Sequence, residues 1–525
     1  MIKYLNFNWK NTCIILGFPI ILGFILEITV QEISYSTYFN LVENILFSLI
    51  VFIIINQLVI LKFGRLIVTF VLVIYYFFLF VETGLYLLFQ TRISAAYIYV
   101  ILNTNFNEAK EFSLVYYKEN LYWLLLFFTP ILRFFPSRIF IQPVFKFKGL
   151  LSTFVLLFVF LIVLKYANLA KWNLPYVAVK SHVQYNNQLK EFEDFKNKKS
   201  NIQTKTITDN DVVVVVIGES TTRKHMNIYG YSRNTTPKLN VLSDSLLIFN
   251  DVISSHVFTT ASIYDILTLS NHENPDDKNT LINYLQNAGY MVYWLSNQRP
   301  VGLHDNLVSR LASEADESLF LSYNDFRHST LYDEVLLPKI SDKLKEKHKM
   351  VIFVHLIGTH YDYKKRYPKS FSEFSSENEK KKNEIIDTYD NAILYNDFIV
   401  SEIIKTVDKK SKRSAVIYFS DHGEEVFDVT NYFGHFDDKI TSTMYEVPFI
   451  LFMSSQFEKP DDFIIDKSRK FMLDDFPHSL THIMGIESEL LEKSRSLFSS
   501  DFKTRKRFIK DSLEFGNLKF RENNK

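Results

Sequence analysis

Hydrophobic residues crowd the first third of the 525-residue chain, whereas the remainder alternates between short apolar runs and polar stretches. Five long apolar stretches occur before residue 170, and five in series are not typical of the core of a soluble domain. The third and fifth are long enough to span a bilayer, and the others reach that length with their flanking residues. These stretches are Cys13–Val30, Leu41–Leu61, Leu66–Phe89, Leu121–Phe135 and Leu150–Ala167. Residues 1–167 are therefore expected to form a transmembrane domain of five helices.

Basic residues predict how these segments are oriented. Lys3 and Lys10 precede the first segment, and Lys62 and Arg65 separate the second from the third. By the positive-inside rule, loops rich in lysine and arginine are cytoplasmic. Five spans with a cytoplasmic N-terminus put everything after Ala167 outside the membrane. We expect a multi-pass protein of the inner membrane whose C-terminal domain is periplasmic.

The rest of the chain predicts a linker and an α/β domain. Residues 168–210 are polar and are expected to form the linker. In residues 211–525 apolar strands alternate with helical patterns, which is typical of a mostly parallel sheet covered on both faces. Predicted strands are Val212–Ile217, Leu247–Ile253, Met291–Leu295, Met350–Ile357, Ala415–Phe419 and Pro448–Met453. Predicted helices are Asn279–Ala288, Tyr332–Lys345, Asn383–Val407 and Pro477–Met484.

Polar residues follow two of the predicted strands. The run Val212–Ile217 is typical of a strand buried on both faces, and a glycine separates it from Glu219. Asp421 and His422 come soon after the strand Ala415–Phe419. Open α/β sheets bind ligands at the carboxyl ends of their strands, and this mixed oxygen and nitrogen set suits zinc. Each motif alone is weak, because a turn with a solvated acid explains it equally well.

A candidate nucleophile lies between the second strand and the helical pattern at Ile263–Ser270. Thr259 would meet the positive end of the helix dipole, and metal coordination would lower the pKa of its hydroxyl further. Threonine also caps helices often, so the pattern leaves a purely structural role open. His360 and His435 lie in predicted loops, where a lone histidine is usually a surface or core residue.

The residues from 217 to 237 resemble the signature of bacterial phosphoethanolamine transferases, within the alkaline phosphatase and sulfatase superfamily. They read IGESTTR at 217–223 and MNIYGYSRNTTP at 226–237, and the resemblance continues with DHGE at 421–424 and GH at 434–435. It covers the whole chain, and the residues around and after Thr259 are most similar to the branch that modifies the lipopolysaccharide core. Relatives that modify lipid A commonly carry disulfides in the exported domain, whereas the single cysteine of this chain is Cys13.

The resemblance implies an exported α/β/α sandwich of the sulfatase and alkaline phosphatase type. It also implies a catalytic zinc ion with Thr259 as the nucleophile. Its implied ligands are Glu219, Thr259, Asp421 and His422. Thr259 is preferred to Thr260 because the alignment through the following helix needs no gap. His360 and His435 correspond to histidines that contact the phosphoryl group or a second metal ion, so the number of zinc ions stays open.

The implied reaction transfers phosphoethanolamine from phosphatidylethanolamine to an envelope acceptor, either lipopolysaccharide core or lipid A. It would pass through a phosphothreonine-type intermediate and release diacylglycerol. A membrane-anchored sulfatase or phosphodiesterase, or a glycerol-phosphate transferase, would use the same metal site. A catalytically silent scaffold is the alternative from another class. The formal net charge of +1 gives no reason to expect nucleic-acid binding. The expected partners are therefore membrane lipids and envelope glycans.

Overall fold

The computed structural model describes most of the C-terminal two thirds of the chain and parts of the N-terminal third. The described residues are 9–30, 35–58, 63–89, 127–129, 155, 158, 162, 164, 166, 174–180, 182–183, 202–275, 279–298, 307–321, 332–376, 381–436, 439–510 and 513–518. The chain divides into two compact units, Met1–Asn187 and Gln188–Lys525. The boundaries predicted at residues 167 and 210 stay a prediction.

The first unit contains three long helices, α1 (Trp9–Val30), α2 (Tyr35–Leu58) and α3 (Gly64–Phe89). Among the described residues, Thr37–Ile55 and Leu66–Tyr86 are long and apolar enough to cross a membrane, and the apolar part of α1 is shorter. These helices coincide with the first three predicted spans. The fourth and fifth spans lie largely outside the described residues, so the count of five stays a prediction.

Polar side chains join the three helices. Asn40 Nδ2 on α2 donates to Glu27 Oε2 on α1 at 3.0 Å and to Glu82 Oε1 on α3 at 2.9 Å. All three side chains are buried. Hydrogen bonds of this kind hold apolar helices in a fixed register where hydrophobic burial cannot, because lipid is as apolar as the helix surface.

The second unit is built on a seven-stranded sheet, which confirms the predicted α/β class. In chain order its strands are β1 (Val212–Gly218), β2 (Leu246–Ile248), β3 (Met291–Ser296), β4 (Glu317–Phe320), β5 (Met350–His355), β6 (Ser414–Ser420) and β7 (Phe449–Met453). Across the sheet the order is β2-β7-β6-β1-β5-β3-β4. Strand β7 runs antiparallel to both of its neighbours, and the other adjacent pairs are parallel. The valine run therefore forms the centre of the sheet.

Helices cover both faces of this sheet. They are α4 (Pro237–Val241), α5 (Thr259–Leu267), α6 (Leu281–Asn287), α7 (Leu307–Ala312), α8 (Leu336–Lys343), α9 (Lys381–Lys410) and α10 (Phe476–Ile483). Val213, Val215 and Ile217 of β1 pack into one core with α5, α6, α7 and α10. Val212, Val214 and Val216 pack into another with α8 and α9. Because successive strand residues point to opposite faces, every side chain of the run is buried.

Short two-stranded pairs complete the unit. They are Lys205–Thr206 with Ile486–Glu487, Asp251–Ile253 with Lys470–Met472, Glu425–Val426 with Phe433–Gly434, and Phe508–Ile509 with Leu513–Glu514. The first half of the predicted strand Leu247–Ile253 is β2, and its second half leaves the sheet at Phe249 to join one of these pairs. The prediction of one continuous strand there was wrong.

Candidate metal and catalytic site

The site begins where β1 and β6 end side by side. These parallel strands are in register up to the pair Gly218 and Ser420. Glu219 and Asp421 therefore leave the sheet at the same level, and the Asp421 amide donates to Gly218 O at 3.1 Å. His422 follows at once. The expectation that the carboxyl edge of the sheet gathers Glu219, Asp421 and His422 is met by the geometry.

The chain turns sharply after Glu219. Ser220 lies in the left-handed region, with φ 56°, which few residues other than glycine adopt. This turn lets the Ser220 hydroxyl donate to Glu219 Oε1 at 2.9 Å, and lets its amide donate to Asp421 Oδ1 at 3.3 Å. The strained backbone thus fixes the Glu219 carboxylate beside Asp421.

Thr259 is the first residue of α5, and its hydroxyl points at this carboxylate. Oγ1 donates to Glu219 Oε2 at 3.0 Å. The N-cap residue of α5 is Phe258, whose side chain makes no capping hydrogen bond. Thr259 therefore does not cap the helix, which removes the structural alternative considered from the sequence. The Thr259 hydroxyl therefore contacts the cluster of candidate ligands directly.

Glu219, Asp421 and His422 offer ligand atoms that all lie within 4.8 Å of one another. Two side-chain atoms of these residues lack hydrogen-bond partners among the described residues, namely Asp421 Oδ2 and His422 Nε2. The latter lies 3.0 Å from Glu219 Oε1, but the two atoms are not aligned for a hydrogen bond. Buried polar atoms without partners are costly unless a ligand satisfies them. Two oxygen donors and one nitrogen donor fit a zinc ion.

Burial disfavours the charged form of each of these three side chains. Burial and the neighbouring Glu219 carboxylate raise the pKa of Asp421 to about 8. Burial alone would lower the pKa of His422, but the Asp421 and Glu219 carboxylates raise it to about 10. Burial would raise the pKa of Glu219, yet its contact with His422 and the charge of that ring hold it well below its usual range. A divalent cation would compensate these carboxylates and displace the protons.

A second group of ligand atoms adjoins the first. His422, Glu424 and His435 also lie within 4.8 Å of one another by their ligand atoms. His435 Nδ1 is 2.6 Å from Glu424 Oε2, and the His435 ring centre is 4.4 Å from that of His422. The hairpin Glu425–Val426 with Phe433–Gly434 brings His435 back to the strand ends. The role of Glu424 was missed, although it stands two residues after His422.

His360 is held in a loop that follows β5. Its Nδ1 lies 2.7 Å from Tyr361 O, which leaves Nε2 as the nitrogen available to a ligand. The loop is anchored by Asp333, whose carboxylate accepts from the amides of Ile357 and Gly358 at 3.0 and 2.9 Å. The amide of the neighbouring Thr359 donates to Glu219 O at 3.0 Å, which joins this loop to the site. All six residues predicted for the site are thus in or beside it.

Gln298 also belongs to the site, although the sequence did not predict it. This residue follows β3, and its Nε2 donates to Glu219 Oε2 and to Leu356 O at 3.0 and 2.9 Å. Gln298 and the Thr259 hydroxyl therefore share one oxygen of Glu219. The feature of the sequence that could have indicated it is its position two residues after β3, at the same edge of the sheet as the ends of β1 and β6.

Comparisons with known proteins agree with this geometry. The sulfatase family model matches residues 211–486. The phosphoethanolamine transferase EptC of Escherichia coli K12 is 28% identical over 467 residues, which are 81% of each chain.

Two solved structures are also similar. The C-terminal periplasmic domain of EptC from Escherichia coli, in complex with zinc, is 30% identical with a TM-score of 0.57, and covers 62% of this chain and 99% of its own. The integral membrane lipooligosaccharide phosphoethanolamine transferase A of Neisseria meningitidis is 18% identical with a TM-score of 0.68, and covers 94% of this chain and 98% of its own. The second match extends the similarity of fold to nearly the whole chain.

Proposed function

Because the chain belongs to the sulfatase family, we propose that it transfers phosphoethanolamine from phosphatidylethanolamine to a lipopolysaccharide acceptor in the cell envelope. The observation that carries this proposal is the Thr259 hydroxyl, which starts α5 and donates to Glu219 beside Asp421 and His422. Relatives named phosphoethanolamine transferases that align over most of the chain support the same group as the one transferred.

In the first step Thr259 Oγ1 attacks the phosphorus of phosphatidylethanolamine. The Oγ1–P bond forms, and the bond between phosphorus and the diacylglycerol oxygen breaks. The threonine gives up its proton in the direction of Glu219 Oε2, to which its hydroxyl donates at 3.0 Å. The N-terminus of α5 adds a partial positive charge that favours the alkoxide and the phosphoryl oxygens.

The leaving diacylglycerol oxygen needs a proton, and a histidine supplies it. Glu424 Oε2 lies 2.6 Å from Nδ1 of His435, which leaves Nε2 as the nitrogen that transfers this proton. In the second step an acceptor hydroxyl or phosphate oxygen attacks phosphorus, the new O–P bond forms, the Oγ1–P bond breaks, and Oγ1 takes its proton back from Glu219. The same imidazole then takes the proton of an attacking hydroxyl, as general acid–base catalysis requires.

Glu219, Thr259, Asp421 and His422 would hold one zinc ion, and His435 stays the proton donor and acceptor of the proposed reaction. Zinc supplies Lewis acidity, which lowers the pKa of the threonine hydroxyl and stabilises charge on the phosphoryl oxygens. The zinc complex of the EptC periplasmic domain supports this assignment of the metal. The hydrogen bond from Gln298 Nε2 keeps the Glu219 carboxylate oriented both with and without bound zinc.

The apolar N-terminal helices fit a lipid donor. Phosphatidylethanolamine stays in the bilayer, so an enzyme that uses it must reach the membrane surface. We place the protein in the inner membrane with a cytoplasmic N-terminus and a periplasmic catalytic domain, in keeping with the positive-inside pattern.

The test compares lipopolysaccharide from cells with and without this protein by mass spectrometry. Wild-type protein should add the mass of phosphoethanolamine, and Thr259→Ala should not. In vitro, diacylglycerol should appear in proportion to the modified acceptor. Release of free phosphoethanolamine to water, with no modified acceptor, would contradict the proposal and favour a hydrolase.

A further inference from the structure

Three aromatic side chains form a continuous surface beside the candidate site, and we call Tyr361, Phe427 and Phe433 the aromatic shelf. The ring centres of Tyr361 and Phe433 are 5.5 Å apart, and those of Phe427 and Phe433 are 5.7 Å apart. All three side chains are partly exposed. All three also pack against the hydrophobic core, and the proposed reaction uses none of them.

The aromatic shelf is continuous with the catalytic residues along the chain. Tyr361 directly follows His360, and Phe433 stands two residues before His435 in the hairpin that carries it. The ring of Phe258, which precedes Thr259, lies 5.5 Å from the ring of His435. The residues of the shelf are therefore close along the chain to two histidines of the candidate site.

Phe427 occupies a strained backbone position. Its φ is 63°, in the left-handed region that a bulky side chain rarely adopts. Strain of this kind persists where the surrounding structure enforces it and is concentrated at functional sites. Here it sets the Phe427 ring against Phe433.

Basic side chains border the aromatic shelf. Lys382 on α9 is exposed, and its Nζ lies 5.1 Å from the centre of the Phe427 ring. Lys364 and Lys365 follow Tyr361 closely, and each has an acidic neighbour, Glu384 at 3.9 Å and Asp362 at 3.8 Å. Lys382 is therefore the cation that lies directly on the shelf.

We propose that the aromatic shelf is the acceptor subsite and that it binds a phosphorylated sugar ring of the lipopolysaccharide. This inference rests on the proposed function. The flat C–H face of a sugar packs against aromatic rings by dispersion, while Lys382 attracts the phosphate on the same sugar. Stacking would bring a sugar hydroxyl towards Thr259.

The charge at the shelf argues against a site for the donor's head group. A primary ammonium also binds over aromatic rings, but the Nζ of Lys382 already occupies one of these faces. A second cation there would be repelled. The shelf therefore suits an anionic acceptor better than the ethanolamine group.

The test separates the two halves of the reaction in the full-length protein with phosphatidylethanolamine and purified lipopolysaccharide. The donor step is measured as the phosphoethanolamine adduct on Thr259, and the acceptor step as transfer to lipopolysaccharide. Phe433→Leu and Phe427→Leu keep apolar volume but remove the flat ring. They should raise the KM for lipopolysaccharide about 3- to 10-fold, the range expected for a stacking contact, and leave adduct formation unchanged.

Lys382→Glu should also raise this KM, with a smaller effect at high salt or with dephosphorylated lipopolysaccharide. The matched control is Phe398→Leu, since Phe398 carries Lys238 over its ring at 5.5 Å but lies 16 residues further along α9. Normal adduct formation shows that each variant is folded. Variants that form the adduct and transfer it with wild-type KM would overturn the acceptor subsite alone.

Slower adduct formation in the leucine variants, with unchanged KM for the acceptor, would also overturn the inference and assign the shelf to the donor. A wild-type protein that forms no adduct would contradict the proposed function itself, so the two failures are distinguishable.

Discussion

At the scale of single residues, burial gives the site its chemistry. Glu219, Asp421 and His422 are at most 1% exposed, and two of their ligand atoms lack hydrogen bonds among the described residues. Removing one partner from such a cluster leaves the others buried and uncompensated, which is more costly than losing a surface contact. A bound cation is the simplest way to satisfy all three.

His422→Ala should abolish bound zinc and transferase activity together, because the remaining donors cannot complete a tetrahedral site. Metal analysis of the purified protein and a diacylglycerol assay check this. His478→Ala is the matched control, since His478 is also a buried histidine but lies on α10. A His422→Ala protein with full zinc and full turnover would show that the ring is structural.

The structure brings together those predicted site residues that follow a recognisable strand. Glu219, Asp421 and His422 stand directly after or one residue beyond the ends of β1 and β6, so alternation of strands and helices was enough to group them. Gln298 also follows a strand, but a glutamine carries no motif that distinguishes it from a loop residue. Its contact with Glu219 depends on side-chain placement, which hydrophobic periodicity does not contain.

At the scale of elements, the segment after β6 is held so tightly that it admits no side chain at Gly423. A Cβ added there would lie 2.1 Å from Thr443 O, and the Gly423 amide donates to Met444 O at 2.8 Å. The backbone of this segment sets the direction of Asp421 and His422. Glycine is required at this position because the backbone of Thr443 and Met444 approaches it closely.

Gly423→Ala should lower the free energy of unfolding by about 1–3 kcal/mol, as overpacking does, and reduce zinc binding by displacing the ligands. Thermal unfolding and metal content measure the two effects. Gly516→Ala is the control, because nothing lies within 4 Å of its added Cβ. Equal stability and equal zinc in both variants would contradict this account of the segment.

A network of ion pairs and hydrogen bonds joins residues 217–237, which carry the family signature, to helix α9. His225 Nδ1 lies 2.6 Å from Asp390 Oδ1 and its Nε2 lies 3.2 Å from Asp428 Oδ2. Tyr231 and Arg233 contact the other oxygen of Asp390 at 3.0 and 2.8 Å. Burial alone would lower the pKa of His225, but the two carboxylates raise it to about 9.

This network should make stability depend on pH. Because the pKa of folded His225 lies above its unfolded value of about 6.5, its contribution is complete below that pH and is lost as pH rises through about 9. The shift corresponds to about 3 kcal/mol. Wild-type protein should lose more thermal stability between pH 6.5 and 9.5 than His225→Gln. Parallel losses in both proteins would contradict the assignment.

Element predictions failed where hydrophobic pattern is weak or where tertiary pairing overrides it. Strand β4 was missed because it lies at the sheet edge and its residues are exposed or half-buried, so it lacks an apolar run. Leu247–Ile253 is a continuous apolar-rich stretch, yet its two halves pair with different strands. Sequence periodicity does not specify partners.

At the scale of the whole molecule, apolar helices and a sulfatase-type domain occur in one chain. The predicted resemblance is confirmed by the family match over residues 211–486 and by the phosphoethanolamine transferase EptC, which aligns over 81% of this chain. That resemblance was visible because residues 217–237 carry a long and specific sequence motif. The number and orientation of the membrane spans stay predictions.

Fusions of a reporter that is active only outside the cytoplasm test the orientation. A fusion after Lys180 should be active, and a fusion at Gly64, next to Lys62 and Arg65, should be inactive because basic loops stay cytoplasmic. Immunoblots must show equal expression of both fusions. The reverse pattern would invert the topology and separate the catalytic domain from the envelope acceptor.

The central claim is that Thr259 carries phosphoethanolamine between donor and acceptor, and one measurement tests it directly. Purified protein is incubated with phosphatidylethanolamine without acceptor, and the peptide that contains Ser254–Ser270 is weighed by mass spectrometry. We predict one phosphoethanolamine adduct in wild type and in Thr260→Ala, and none in Thr259→Ala. An adduct that persists in Thr259→Ala, or no adduct in any form while free phosphoethanolamine accumulates, would contradict the claim.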